Sequence, residues 1–324
     1  MHRVIGILFV GFVLAAVAFA FSPRSDPPMP PTQVRIGHLQ MLDVAAREDG
    51  RLVAVGERGH IFISDDRGSE WRAALSPTAA TLTAVRFIDA GRLVAVGHDA
   101  LILRSDDGGE SWSEVRFDAE AEEPLLSVWL GEDGRGFAVG AYGRFEFSTD
   151  GGATWERREL EANEEALHLN AIARVDEDVF LIAGEAGTLL RSQDGGESWE
   201  ALASPYSGSY FGALALPGGG VLVYGMRGHV FRSDDGGETW HEVATEVQGS
   251  LFGGRVLGDG RVVLVGQNGA VLVSEDEGRS FARVERVDRR SRAAVADTGA
   301  DEVVLVGEDG ADRLRLPRAD GGRS

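Results

Sequence analysis

Six aspartates recur along the chain at Asp66, Asp107, Asp150, Asp194, Asp235 and Asp276, each two residues after a serine and five before an aromatic ring. Carboxylates beside hydroxyls could hold a hard cation or move protons. A catalytic site is needed once, however, and these residues return in every unit. The repetition therefore favours a turn in which each carboxylate accepts N–H groups of its own loop. The boxes run from Ser64-Asp-Asp-Arg-Gly-Ser-Glu-Trp71 through Ser105-Asp-Asp-Gly-Gly-Glu-Ser-Trp112 to Ser274-Glu-Asp-Glu-Gly-Arg-Ser-Phe281. Their fifth position is glycine, which gives the turn backbone freedom. Their closing rings, Trp71, Trp112, Trp155, Trp199, Trp240 and Phe281, offer area to wedge between neighbouring sheets.

Other chemistries are excluded by composition. Without cysteine there is no disulfide and no thiol nucleophile, and without lysine, all 32 basic residues being arginine, there is no Schiff base. The seven histidines show neither His-x-x-x-His nor His-Glu-x-x-His spacing, so no metal or other cofactor is expected. A formal charge of −20 argues against nucleic acid and anionic lipid as partners.

The elements that must carry the boxes follow from a second period. An apolar run ends in glycine at Gly56, Gly97, Gly140, Gly184, Gly225, Gly266 and Gly307, in steps of about 41 residues. In the second unit, strands are expected over Leu82–Ile88, Arg92–Val96, Leu101–Arg104 and Trp112–Arg116, joined by short Gly/Asp turns. Such a four-stranded unit leaves both faces bare, so units must stack around an axis. The expected fold is all-β, a seven-bladed β-propeller of four-stranded antiparallel blades spanning 33–317. The seventh unit has a first strand near Arg292–Ala296, a second at Glu302–Val306 and a third at Arg313–Leu316, then runs out before a box. Gln33-Val-Arg-Ile36 is expected to supply its missing outer strand and close the ring.

Outside the body, Val4 to Phe21 is an uninterrupted apolar run after Arg3, with a small-x-small site at Ala18-Phe19-Ala20. It suits either a signal peptide cleaved near Ala20 or a retained inner-membrane anchor over residues 4–21, and either places the body in the periplasm. Residues 22–32 read as a proline-rich linker and 318–324 as a disordered tail.

The boxes resemble the Asp-box (BNR) consensus Ser-x-Asp-x-Gly-x-Thr/Ser-Trp, found in sialidases and other glycosidases, in sortilin-type receptors and in photosystem II stability/assembly factors. The longer unit, Val-Gly-x-x-Gly-x-apolar-x-x-Ser-x-Asp-Gly-Gly-x-Ser/Thr-Trp, is similar to the last of these over roughly residues 33–316. That resemblance implies a non-enzymatic, exported propeller that binds a membrane or envelope protein and aids its assembly or stability; a monomer is expected. The lysine-free, acidic balance departs from the photosynthetic members, so no photosystem client is carried over.

The boxes fall between third and fourth strands, at one rim. The opposite rim holds the turns between second and third strands and the connections between blades, where sequence variation concentrates. Binding residues are expected there: Arg58, Tyr142, His168, Tyr206, Tyr210, Phe211, Arg227 and Asn268. Tyrosines near arginines suit protein recognition. The competing reading is that the tyrosines plug the channel mouth or pack on the next blade. Arg104, Arg191 and Arg232, at one repeat position, read as interblade ion pairs. The alternative functions are a sialidase-like glycoside hydrolase and a carbohydrate-binding envelope scaffold. The hydrolase would need Arg58, Arg227 and a third arginine to converge beside Tyr142 or Tyr210. It also lacks the Arg-Ile-Pro motif, since Arg35-Ile36 is followed by Gly37.

Overall fold

The computed structural model describes residues 2–20, 34–286, 288–299 and 301–317. The linker and tail expected at 22–32 and 318–324 lie outside them. Two units are separate: one is Met1–Val34, the other Arg35–Ser324. The first contains a helix over His2–Ala20. Among the described residues no helix is long and apolar enough to cross a membrane.

The second unit is a seven-bladed β-propeller with six four-stranded antiparallel sheets and a seventh of three strands among the described residues. The inner strands are Met41–Ala46, Leu82–Phe87, Leu125–Leu130, Leu169–Arg174, Tyr210–Ala215, Leu251–Val256 and Arg292–Asp297. Each touches the inner strands on either side, and the last touches the first. Second strands such as Leu52–Gly56, Leu93–Gly97 and Val262–Gly266 are buried along their whole length. A neighbouring blade covers each of their faces, which is why they read as continuous apolar runs rather than alternating ones.

Packing is shared between blades. Val53, Val55 and Ile63 of blade 1 pack with Leu82, Leu93 and Leu103 of blade 2. The same arrangement continues around the ring until Val304 and Val306 of blade 7 meet Leu52 and Ala54 of blade 1. The seven run-ending glycines are explained by close approach. At Gly56, Gly97 and Gly225, a Cβ would collide with the carbonyl oxygen of Gln40, Thr81 and Ser209, the residue just before the same blade's inner strand. Gly140, Gly184, Gly266 and Gly307 repeat the contact. Here the backbone is extended, as at Gly56 with φ −170°, so glycine serves by lacking a side chain.

The ring closes at the expected place with a different element. Gln33 is outside the described residues, Val34 and Arg35 are irregular, and Ile36–His38 is one turn of 3-10 helix rather than a strand. Ile36 and Ala311 of the third strand of blade 7 pack on the same apolar cluster, and the Ile36 carbonyl abuts Gly310. The corresponding glycines Gly59, Gly187, Gly228 and Gly269 are abutted by carbonyls of Thr78, Tyr206, Val247 and Asp288, all in connections leading to the next blade. Residues 36–38 therefore do for blade 7 what those connections do elsewhere. The turn is closed by hydrogen bonds from the Leu39 N–H to the Ile36 carbonyl at 3.1 Å and from the His38 N–H to the Arg35 carbonyl at 3.3 Å. The third strand of blade 7, Gly310–Arg315, also starts three residues earlier than its apolar pattern indicates.

Candidate functional site

Five of the seven turns between second and third strands are three-residue 3-10 turns whose middle residue is left-handed; blade 2 has Asp99 and Ala100 both left-handed, and blade 7 has the two-residue turn Glu308-Asp309. Arg58 has φ 54°, Tyr142 54°, Ala186 52°, Arg227 58° and Asn268 56°. Glycine follows each of them, completing the turn before the chain re-enters the sheet. The first turn residue ties the turn to its own blade. Glu57 accepts the N–H of Gln40 at 3.1 Å, Gln267 that of Ser250 at 2.9 Å and Glu308 that of Ser291 at 3.0 Å. The middle side chain is thereby thrown outward. Arg58, Arg227 and Asn268 are exposed, and Tyr142 keeps 59% of its surface in solvent. Neither Arg58 nor Arg227 has an ion-pair partner among the described residues.

The predicted site residues divide into three groups. Tyr142 and His168 come together across blades 3 and 4, ring edge to face at 4.9 Å, while the His168 N–H donates to Glu185 at 3.2 Å. Tyr206 and Tyr210 belong to the packing between blades 4 and 5. Tyr206 lies half-buried against His229 at 4.4 Å and Phe231 at 5.8 Å. Tyr210 has no exposed surface, so its place among the contact residues is corrected to the core. Its hydroxyl bonds Ser204 at 2.9 Å, and burial pushes its pKa up to about 12. It takes the first position of its inner strand, where other blades put Met41, Leu82 and Leu251. Phe211 lines the central channel and pairs with Phe252 at 5.6 Å. Arg58, Tyr142 and Arg227 stand on blades 1, 3 and 5 with no contact among them, so the convergence a sialidase needs is not made there.

The charged lining of the central channel was not read from the sequence. Inner strands of all seven blades enclose a cavity of 320 Å³ that holds Asp43, Arg86, Tyr224 and Arg255. Part of this polarity stitches blades together. Asp43 accepts the N–H of Val85 at 2.9 Å, and Ser127, at the same repeat position, accepts that of Ile172 at 3.3 Å. Thr83 donates to the Leu125 carbonyl at 2.6 Å, and Asn170 to that of Tyr210 at 2.7 Å. Burial raises the Asp43 pKa, with the two backbone bonds and Arg86 acting the other way. Burial, and then the charge of Arg86, lower that of Arg255. Tyr224 is raised by burial and by Asp43, so it stays a hydroxyl donor. It stands where other second strands carry Val55, Val96, Ala183 or Val265, and Gly212 and Gly254 leave the room its ring fills. That break in the repeat was the available signal.

The six boxes make local turns. Asp150 accepts the N–H of Thr154 at 2.9 Å and its hydroxyl at 2.6 Å, and the same pair of bonds joins Asp194 to Ser198 and Asp235 to Thr239. These donors hold all three carboxyls down at about 2. Asp107 and Asp276 repeat the arrangement, and Asp66 accepts N–H groups from Ser69 and Glu70. Most fifth-position glycines face the preceding blade: a Cβ at Gly196 would strike Phe137 and one at Gly109 would press on Val53, whereas one at Gly152 would meet Leu130 of its own blade. Trp199 packs edge-on to Phe137 and Phe145 of that blade, at 6.1 and 5.7 Å. Trp112, Trp155 and Trp199 donate their indole N–H within the box, whereas that of Trp240 is buried without an acceptor. The arginines ahead of the boxes reach forward. Arg191 pairs with Glu238 of the next box at 2.7 Å, Arg232 donates to the Glu277 carbonyl at 3.0 Å, and Arg104 to that of Gly151 at 3.4 Å.

Known proteins share this architecture. The family model for the photosynthesis system II assembly factor YCF48 matches residues 109–267. A YCF48 bound to a D1 peptide is similar at 18% identity and a TM-score of 0.70, over 92% of this chain and 100% of that one. YCF48 from Cyanidioschyzon merolae is similar at 17% identity and 0.69, over 89% and 97%. A streptogramin B lyase is similar at 12% identity and 0.73, over 88% and 96%. At such identities the likeness carries the fold and leaves the activity open. No curated protein sequence matches the chain. The chain is an Asp-box propeller that resembles the photosystem II assembly factors of the YCF48 type.

Proposed function

We propose that this chain is a non-enzymatic, exported propeller that binds a membrane or envelope protein through the rim opposite its boxes. The observation that carries the reading is the ring of outward-thrown side chains on a rigid scaffold. Arg58, Tyr142, Arg227 and Asn268 are held in left-handed backbone, which costs each non-glycine residue about 1 kcal/mol, and three of them are exposed cations or an exposed ring. The likeness to a YCF48 bound to a D1 peptide supports a protein segment as the partner. Against a body of net charge −20, unpaired Arg58 and Arg227 favour an acidic or carboxylate-bearing segment. The apolar run at residues 4–21 supports export, whether the segment is removed or retained as a tether, with the propeller on the periplasmic side.

The test is capture from detergent-solubilised membranes by the immobilised propeller, wild type against Arg58→Glu/Arg227→Glu. A membrane protein held by the wild type and released by the charge reversal supports the reading. No membrane protein held, or one held equally by both, removes it.

A further inference from the structure

The channel holds two guanidinium groups whose donors the fold leaves largely unused. Arg255 makes no hydrogen bond or ion pair among the described residues, and Arg86 makes one long bond from Nε to the Val128 carbonyl at 3.4 Å. The one carboxylate in the lining is already engaged: Asp43 accepts N–H groups from Val44 at 2.8 Å and Val85 at 2.9 Å. Asp297, whose field also reaches Arg255, is outside the lining, and its oxygens accept the N–H groups of Gly258 at 2.7 Å and Gly299 at 2.8 Å. Arg255, half-buried and unpaired, faces the like charge of the exposed Arg86, an arrangement that opposes folding. Groups retained against stability mark sites with another use.

We propose that the channel is a binding site for a small organic acid carrying one carboxylate and an apolar body. Arg86 and Arg255 supply planar, forked donors that match a carboxylate, and the Tyr224 hydroxyl adds a further donor. Two guanidinium groups against Asp43 leave the lining with one net positive charge, which a monoanion offsets. The arginines stand one residue from the ends of their inner strands, Leu82–Phe87 and Leu251–Val256. The paired rings of Phe211 and Phe252 stand one residue from the beginnings, at the other end of the lining. The cavity is thus cationic toward the box rim and aromatic toward the connection rim. Its 320 Å³ falls at the small end of ligand pockets, roughly 300–1,000 Å³. This site is separate from the outer rim proposed to hold a protein partner.

The test is calorimetric titration of the full-length chain at low salt with sodium benzoate, sodium acetate, benzamide and inorganic phosphate. Benzoate is expected to bind saturably and more tightly than acetate, with benzamide and phosphate inert. Arg255→Gln is expected to weaken benzoate roughly tenfold or more while leaving the melting temperature equal or higher. That combination separates a ligand-binding arginine from a structural one, whose loss would lower the melting temperature. If Arg255→Gln does not fold, Tyr224→Phe keeps the ring and should weaken benzoate roughly threefold or more. The proposal is overturned if neither acid binds, if benzamide or phosphate matches benzoate, or if the folded variant binds benzoate as the wild type does.

Discussion

Glu146 should be among the most sensitive positions in the molecule. It sits on the third strand of blade 3, where other blades place Phe62, Leu103, Leu190, Phe231 or Leu272. Its side chain and that of Arg144 have no exposed surface, and they pair at 2.8 Å. Arg116 of blade 2 reaches Glu146 at 3.0 Å, and Arg144 reaches Glu123 at 2.6 Å. Glu146→Ala would leave the fully buried Arg144 guanidinium without the fully buried one of its two carboxylate partners. Breaking a buried pair in this way costs about 4 kcal/mol, and for a domain of this size that is roughly an 8 °C fall in melting temperature. Replacing both partners, Arg144→Leu with Glu146→Leu, removes the charges together and should return most of the loss, because an apolar pair of similar volume is often neutral. Differential scanning calorimetry on the wild type, both single variants and the double variant measures the coupling. A fall below about 2 °C for Glu146→Ala, or a double variant no better than the single, would refute the reasoning.

Three further outcomes follow from the same structure. Asp150, Asp194 and Asp235 titrate at about 2 when folded against an ordinary 3.8, so their contribution is present above the higher value and lost as pH falls toward the lower. Calorimetry should show a melting temperature that declines between those values, and a flat profile there would contradict the box geometry. Tyr210→Phe should cost about 1 kcal/mol in denaturant unfolding, through the lost Ser204 bond, and leave partner capture unchanged. Arg227→Gly should raise stability by a few tenths to ~1 kcal/mol by relieving left-handed backbone, yet weaken partner capture; a loss of stability would argue that the arginine is held by contacts.

The period of the chain made the blades legible. Gly-ended runs marked the second strands, because the carbonyl before the same blade's inner strand leaves no room there for a Cβ, and the boxes marked the turn to the fourth, because the same carboxylate-held loop recurs in six blades. Departures from the repeat were harder to read. Tyr210 reads as a rim tyrosine because it follows a polar connection, yet it occupies the core position held by leucine or methionine in five other blades. Glu146, Tyr224 and Arg292 are likewise single exceptions at otherwise apolar positions. Arg292 is fully buried and is met by Asp288 at 2.5 Å and by Asp312. Such residues depend on a neighbour in the adjoining strand or blade, such as Gly212 beside Tyr224, and no local period encodes that neighbour. The closing segment failed as a strand for a related reason. Its place was dictated by the vacancy in blade 7, but its shape was set by Ile36 docking on Gly310.

The proposed engagement of a membrane or envelope protein by the rim opposite the boxes can be read directly by crosslinking. The most direct test places a photocrosslinking residue at Tyr142 on that rim and, separately, at Glu70 on the box rim, in cells making the full-length chain. A discrete crosslink to an envelope membrane protein is expected from position 142 and none from position 70. Equal crosslinks from both positions, or none from position 142, would contradict the proposed engagement.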